Sequence, residues 1–315
     1  MCRYFRSDVI SCRGGGLVLY SSLEKFLTPH AQTHIFVHGR ASPRATARPR
    51  GIFKEGRRVL RFSLLGSGSS GNALFIAGPS SKILIDDGLS LRQVQARLSE
   101  IGESLDGLRA VFVTHEHNDH VTGIGPLARK FNTPVFVTQR TYERFPQGVG
   151  PLPRVEFFES GEAMSVDGMT LTSFNVSHDA VDPIGFTVEC EGAKLGVASD
   201  LGHVSALVRT RLAGSHGLIL ESNYCPRMLL AGPYPPMLQQ RIRGRTGHLS
   251  NPDCNSLLAS LLHDGLRVVV LAHLSDENNR AELALSLASC VLGDHPAQLH
   301  VAHRHRPTPL FELTV

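Results

Sequence analysis

Short apolar runs and one-sided apolar repeats alternate along most of the chain. Val59–Leu65, Ala73–Ala77, Lys82–Ile85 and Leu108–Val113 are runs of five to seven residues rich in β-branched and aromatic side chains, the Lys82 run being shorter. Runs of that length bounded by Gly, Pro, Asn or Asp read as buried strands. After Ser90, a natural helix cap, Leu91, Val94 and Leu98 recur at helical spacing. Val121–Phe131 predicts a second helix and Thr133–Thr138 a further strand. From Val155 to Glu189 the chain predicts several short β-segments, including Thr170–Val176. Strands then resume at Lys194–Ala198, Gly217–Leu220, Val268–Leu271 and Gln298–Ala302. Helices are predicted at Leu201–Leu212, from Ser250 or Asn251 to Leu262, and at Ala281–Val291. Strands alternating with helices predict an α/β fold.

The segment Gly66–Asn72 follows a strand and matches G-x-G-x-x-G. A dinucleotide fingerprint needs a helix next. Here the strand-like Ala73–Ala77 follows, so the glycines predict a hairpin loop, either a plain turn or one whose bare amides meet an anion.

Hydrophobic residues make up 42% of the 315, enough for a sizeable core, and no apolar run approaches the ~20 residues needed to cross a bilayer. The six cysteines are scattered, with no C-x-x-C pair. That excludes a disulfide framework and a cysteine-type zinc site, and predicts a reducing cytoplasm. Charge is uneven. Residues 1–58 hold 11 Lys and Arg against 3 Asp and Glu, a net of +8, and the remainder 21 against 25, a net of −4. The basic pI therefore belongs to the N-terminal stretch, and net charge gives no argument that the rest binds nucleic acid. Residues 1–58 also lack periodicity and read as a basic, disordered leader. An organellar transit peptide, a nucleic-acid arm and a start codon placed too far upstream all fit; the last is favoured, with the folded domain at 59–315.

The chemistry concentrates in Thr114-His115-Glu116-His117-Asn118-Asp119-His120, directly after the apolar Val111–Val113. Imidazole and carboxylate suit Zn²⁺, Mn²⁺ or Fe at a hydrolytic site. His115 and His117 stand at alternate positions and can face one ion, with Asp119 and His120 turned toward a second. Three more candidates stand at the ends of predicted strands: Asp86, His178 and Asp200. His273 closes the strand Val268–Leu271. Asp200 can bridge two ions or cap the following helix.

His-Glu-His-Asn-Asp-His is similar to the H-x-H-x-D-H signature of the metallo-β-lactamase superfamily. The strand-end residues fall in that family's order. Leu-Gly-Ser-Gly-Ser-Ser-Gly-Asn, Ser-His-Asp-Ala, Leu-Glu-Ser-Asn, Gly-Pro-Tyr-Pro, Gly-His-Leu-Ser-Asn and Ala-His-Leu-Ser-Asp-Glu-Asn-Asn resemble its YycJ/WalJ-like subgroup over nearly all the chain past residue 60. Ser199 before Asp200, and Tyr224-Cys225, depart from the subgroup pattern. The resemblance implies a four-layer αβ/βα sandwich and a centre of two divalent ions, Zn, Mn or Fe. It implies that His115, His117 and His178 hold one ion and Asp119, His120 and His273 the other. Asp200 would bridge them, and Asp86 would orient a ligand histidine. The implied activity is phosphodiester hydrolysis, as a 5′-to-3′ exonuclease on duplex DNA.

For the leaving oxygen the candidate is His248, which resembles the histidine at that place in tRNA-processing members; a loop histidine before a helix cap is the plain alternative. Arg241, Arg243 and Arg245 alternate nearby and either grip backbone phosphates or form the solvent face of a strand. The 73 residues from Asp200 to His273 are too few for the inserted β-CASP domain of ~100 residues found in RNA-cleaving relatives. Two other readings compete: hydrolysis of a small ester, thioester or cyclic phosphate on the same ions, and a non-enzymatic binding module, against which the complete ligand set argues. The tail His303-Arg304-His305 reads as solvated surface.

Overall fold

A computed structural model describes residues 59–315 and, nearer the N-terminus, the backbone of one antiparallel ladder, β1 (Arg3–Tyr4) with β2 (Ile10–Ser11). That ladder apart, the reading of residues 1–58 as a leader lies outside the described residues.

The chain from Leu60 onward forms β3 (Leu60–Gly66), β4 (Ala73–Ala77), β5 (Lys82–Ile85), α1 (Leu91–Glu100) and β6 (Leu108–Phe112). Then come α2 (Asn118–Val121), α3 (Ile124–Phe131), β7 (Val135–Val137), α4 (Gln139–Tyr142) and β8 (Val155–Phe157). A run of strands follows: β9 (Ala163–Val166), β10 (Met169–Asn175), β11 (Ile184–Cys190) and β12 (Ala193–Ala198). After it stand α5 (Ala206–Leu212), β13 (Gly217–Glu221), α6 (Pro226–Ala231), α7 (Pro236–Arg243) and α8 (Asn251–Leu261). The chain closes with β14 (Val268–Ala272), α9 (Ala281–Leu292), β15 (Gln298–Val301) and β16 (Phe311–Leu313).

Two seven-stranded mixed sheets result, in the orders β16-β3-β4-β5-β6-β7-β8 and β15-β14-β13-β12-β11-β10-β9. The central strands are apolar on both sides because both faces are covered. In β14, Val268, Val270 and Ala272 enter the core between the sheets, while Val269 and Leu271 face the helices outside. Phe62, Ile76 and Phe112 of the first sheet meet Phe186, Val188 and Leu195 of the second in that core. The Phe112 and Phe186 rings pack edge-on at 5.8 Å. Val94 and Leu98 of α1 and Leu127 of α3 cover the outer face of the first sheet. Val208 of α5, Leu257 of α8 and Ala288 of α9 cover that of the second. The layers run helix, sheet, sheet, helix: the expected αβ/βα sandwich. No helix of the described residues is long and apolar enough to cross a membrane.

Three expectations need correction. The helix over Val121–Phe131 is two, α2 and α3, broken at Thr122–Gly123. Gly123 donates to the Asp87 carbonyl at 2.8 Å, and a Cβ there would lie 1.9 Å from the Leu89 carbonyl oxygen. The bend follows that close approach. The helix over Leu201–Leu212 starts only at Ala206, capped by Ser205, which accepts from Val208 N at 3.2 Å. Asp200 is therefore no helix cap. Arg241 and Arg243 lie on α7, not on a strand, because Pro235-Pro236 opens a helix there.

Candidate metal centre

Six apolar strands aim their last residues at one edge of the sandwich. Asp86 follows β5, Thr114–His120 follow β6, His178 follows β10, Asp200 follows β12, Glu221 ends β13 and His273 follows β14. Carboxyl ends of strands are the usual place for a site in α/β sheets. Asp86, Asp200 and His273 each turn away with positive φ, of 59°, 53° and 55°.

On the first sheet Asp86 anchors the histidine loop. Thr114 N donates to its Oδ1 at 2.8 Å and the Thr114 hydroxyl to its Oδ2 at 2.7 Å. His120 Nδ1 lies 2.8 Å from Oδ2 and donates, since a carboxylate only accepts. With its own hydrogen committed, the Thr114 hydroxyl accepts from His115 Nδ1 at 2.9 Å. Both imidazoles thus turn Nε2 inward. Asn72 Nδ2 donates to Asp119 Oδ2 at 3.1 Å and lies 2.9 Å from His120 Nε2.

On the second sheet Glu221 plays the matching part. It is fully buried. Its Oε1 accepts from His273 Nδ1 at 2.9 Å and His248 Nδ1 at 2.7 Å. Its Oε2 accepts from Leu201 N at 2.6 Å and Leu249 N at 3.1 Å. His178 Nδ1 donates to the Gly247 carbonyl at 3.0 Å.

His178 Nε2 and His273 Nε2 are buried and make no hydrogen bond. A buried imidazole nitrogen without a partner, its other nitrogen held by a carboxylate or carbonyl, is the arrangement of a metal-ligating histidine. Donor atoms gather in overlapping groups, within 4.8 Å of one another in each: His115, His117 and His178; Asp119, His120 and His273; His115, His120 and Asp200; and Asp200, Glu221, His248 and His273. The structure therefore brings together all seven sequence candidates, with Asp200 between the two triads. Nitrogen and oxygen donors in such groups fit Zn²⁺, Mn²⁺ or Fe.

The charges agree. Burial, with His120, His178 and His117 adding to it, holds His115 well below the usual histidine range, although Asp200 opposes. Burial works against a proton on His120 too, but Asp200 and Asp86 outweigh it and hold that group well above. Against the same burial, Asp200, Asp119 and Glu221 lift His273 to about 10. Burial also opposes the charge on Asp200, yet His273, His120 and His115 keep it well below the carboxylate range. Carboxylates buried this densely call for positive charge, which divalent cations would supply with the histidines neutral.

Comparisons with known proteins agree with this geometry. A family model described as the beta-lactamase superfamily domain matches residues 81–274. Exodeoxyribonuclease YycJ of Bacillus anthracis is 34% identical over 235 residues, which is 74% of this chain and 89% of that protein. The chain belongs to the metallo-β-lactamase superfamily. Within it, the hydrolase is YycJ/WalJ-like: exodeoxyribonuclease WalJ of Streptococcus pneumoniae serotype 2 is 33% identical over 228 residues, 71% of this chain and 85% of the other. Among solved structures, the metallo-β-lactamase fold protein YhfI of Bacillus subtilis superposes with a TM-score of 0.62 at 15% identity, covering 81% of this chain and all of that one. That likeness shows the fold alone.

The hydrolase opens a cavity of about 440 Å³ beside the cluster. His248 and His273 line it, with Asp179, Tyr234, Arg241 and Arg304. Of the three arginines expected to grip phosphates or face solvent, one lines this cavity. Arg243 faces a separate shallow pocket beside Gln239 and Gln240, and Arg245 lines neither. Only Arg241 reaches the cavity, and Asp179 holds it, with Nε to Oδ2 at 2.6 Å and Nη2 to Oδ2 at 2.5 Å. The tail differs from expectation as well. Arg304 is not solvated surface: it lines the cavity, pairs with Asp276 and donates to Ser69 Oγ at 3.0 Å. Glu221 and Asn72 were missed as site residues. Glu221 carried the strand-end signal of Asp86 and Asp200; Asn72 carried none beyond its place in the glycine loop.

Proposed function

We propose that the hydrolase is a dinuclear metal-dependent phosphodiesterase that degrades duplex DNA from the 5′ end. The observation that carries the metal centre is the pair of ligand triads with Asp200 facing both. The substrate class leans on the names of the relatives. In this reading His115, His117 and His178 would hold one ion and Asp119, His120 and His273 the other, with Asp200 available to both and Zn²⁺, Mn²⁺ or Fe as occupants. When bound, two such ions acidify a water and neutralise charge on the phosphoryl oxygens.

The chain's own groups do the rest. Asp119, whose Oδ2 is steadied by Asn72 and faces His120 and His273, has its second carboxylate oxygen to take the proton of the attacking water. Asp86 fixes the tautomer of His120. His248 faces the cavity with Nδ1 held by Glu221, so it can give a proton to the leaving 3′-oxygen. A cytoplasmic location belongs to the same reading.

Arg241 is already paired with Asp179, and the acidic Asp276 and Glu277 also line the cavity. Those charges favour a second reading, hydrolysis of a small ester, thioester or cyclic phosphate. The test uses protein stripped of metal and reloaded with Mn²⁺ or Zn²⁺, given duplex DNA labelled at the 5′ or the 3′ end. Early release of the 5′ label is expected. Asp119→Ala should lower it by roughly 10³-fold, the scale of a lost transition-state contact. Intact DNA with full metal loading and turnover of a small ester would replace this reading with the second.

A further inference from the structure

The glycine loop between β3 and β4 is tied to the cluster at both ends. Ser67 Oγ accepts from His273 N at 2.7 Å. Gly68 N donates to Asn72 Oδ1 at 2.7 Å, and Asn72 in turn touches Asp119. Gly68 has φ of 124° and Gly71 of 143°, values that a side chain tolerates poorly. Between them Ser69 and Ser70 stand exposed, and among the described residues nothing accepts from their backbone amides.

Arg304 lies against this turn. A Cβ on Gly68 would sit 3.7 Å from its Nε, so the guanidinium stands within van der Waals reach of the loop. One end of the fork is fixed by Asp276 and the other donates to Ser69 Oγ. Each Nη carries two hydrogens, so one on each remains after those contacts. The side chain is only 25% exposed, and the open part faces the cavity that His248 and His273 line. Arg241, the other arginine on that cavity, is engaged edge-on by Asp179.

We propose that Arg304, the Ser69 hydroxyl and the free Ser69 amide form a binding subsite for a phosphate group other than the one being cleaved. It rests on the phosphodiesterase reading. The chemistry is that of a phosphate monoester or diester: a planar fork that is held in place, a hydroxyl, and a backbone amide not otherwise used. A carboxylate beside the fork fixes its direction and leaves its outer hydrogens for the ligand. The subsite stands at the rim of the cavity, so a strand whose scissile bond sits at the metal cluster would place a neighbouring phosphate there. Two sources fit: the terminal 5′-phosphate, or an internal diester.

The test compares three substrates on metal-loaded protein. They are duplex DNA with a 5′-phosphate, the same duplex with a 5′-hydroxyl, and bis(p-nitrophenyl) phosphate, whose only phosphate is the one cleaved. Arg304→Gln should raise KM on DNA about tenfold, the factor one charge-assisted hydrogen bond carries, and leave the small diester unchanged. A rise confined to the 5′-phosphorylated duplex assigns the terminal phosphate; a rise on both duplexes assigns an internal one. No rise on DNA, or an equal loss on the small diester, overturns the subsite. If the glutamine variant does not fold, Arg304→Lys decides: a partial rise in KM on DNA alone supports the subsite, and none overturns it. If wild-type protein cleaves no DNA, dAMP binding by calorimetry is read instead, with deoxyadenosine as control. Tighter binding of dAMP that Arg304→Gln weakens keeps the subsite and removes only the nuclease; equal binding by both proteins removes the subsite.

Discussion

Two buried carboxylates organise the two halves of the site, and they work differently. Asp86, on the first sheet, holds one short stretch: Thr114 and, six residues on, His120. Glu221, on the second, gathers three separate loops: Leu201 beside Asp200, His248 with Leu249, and His273. The first half is a local structure whose geometry one loop can carry. The second exists only when β12, β13, β14 and the segment before α8 are all in register. One carboxylate oxygen shared by two imidazoles couples the candidate proton donor to a candidate ligand.

Glu221→Gln is the sharpest way to break the comparison. An amide in that place presents hydrogens either to Leu201 N and Leu249 N or to the two imidazoles. One pair of donors then loses its acceptor whichever way it turns, at about 1–3 kcal/mol for each buried group. Hydrolysis should fall ~10–100-fold, since either the two histidines lose their shared acceptor or the amides that fix the loops beside Asp200 and His248 lose theirs. The thermal midpoint should drop by roughly 10 °C. Full activity in this variant, by initial rates on DNA or a small diester, would show that the shared oxygen is incidental.

Asp86→Asn should cost less. One imidazole loses its acceptor or Thr114 does, and a loss of roughly tenfold in rate is expected. Metal content by elemental analysis separates the halves further. The Asp86 variant should keep nearly the wild-type complement, and the Glu221 variant should lose one ion more readily. Equal damage from the two would mean that the halves are not organised differently.

A separate effect, on stability and not on turnover, concerns Asp87, next to Asp86 and wholly buried. Burial, hardly offset by the amide of Leu89, lifts its carboxyl to about 8 from 3.8. The folded protein thus keeps a proton that the unfolded chain gives up, and stability should decline as pH rises from about 4 to about 8. Asp87→Asn replaces the protonated oxygen with an isosteric donor and should flatten that part of the profile. Urea unfolding of both proteins at pH 5 and pH 8 measures it; parallel curves would assign the pH dependence elsewhere.

The same division explains what could be read from the chain. The histidine loop was legible because its residues are adjacent and follow an apolar strand. The strands were legible because burial on both faces leaves unbroken runs such as Val268–Ala272. His178, Asp200 and His273 needed their strand-end positions and the family likeness together. Glu221 had the position but no neighbouring histidine to point at it; its partners are 27 and 52 residues away. Arg304 was illegible for the same reason, since Ser69 lies 235 residues earlier. The α2–α3 break depends on a carbonyl 34 residues upstream, which no local period reports.

Asp86, Asp200 and His273 leave their strands in the left-handed region, which aspartate and histidine enter more readily than most side chains but only glycine takes without strain. Glycine, though, supplies neither a donor atom for an ion nor the carboxylate that Thr114 and His120 need at Asp86. A campaign to harden the enzyme for use at high temperature has to hold these positions fixed and seek its gains in the outer helices.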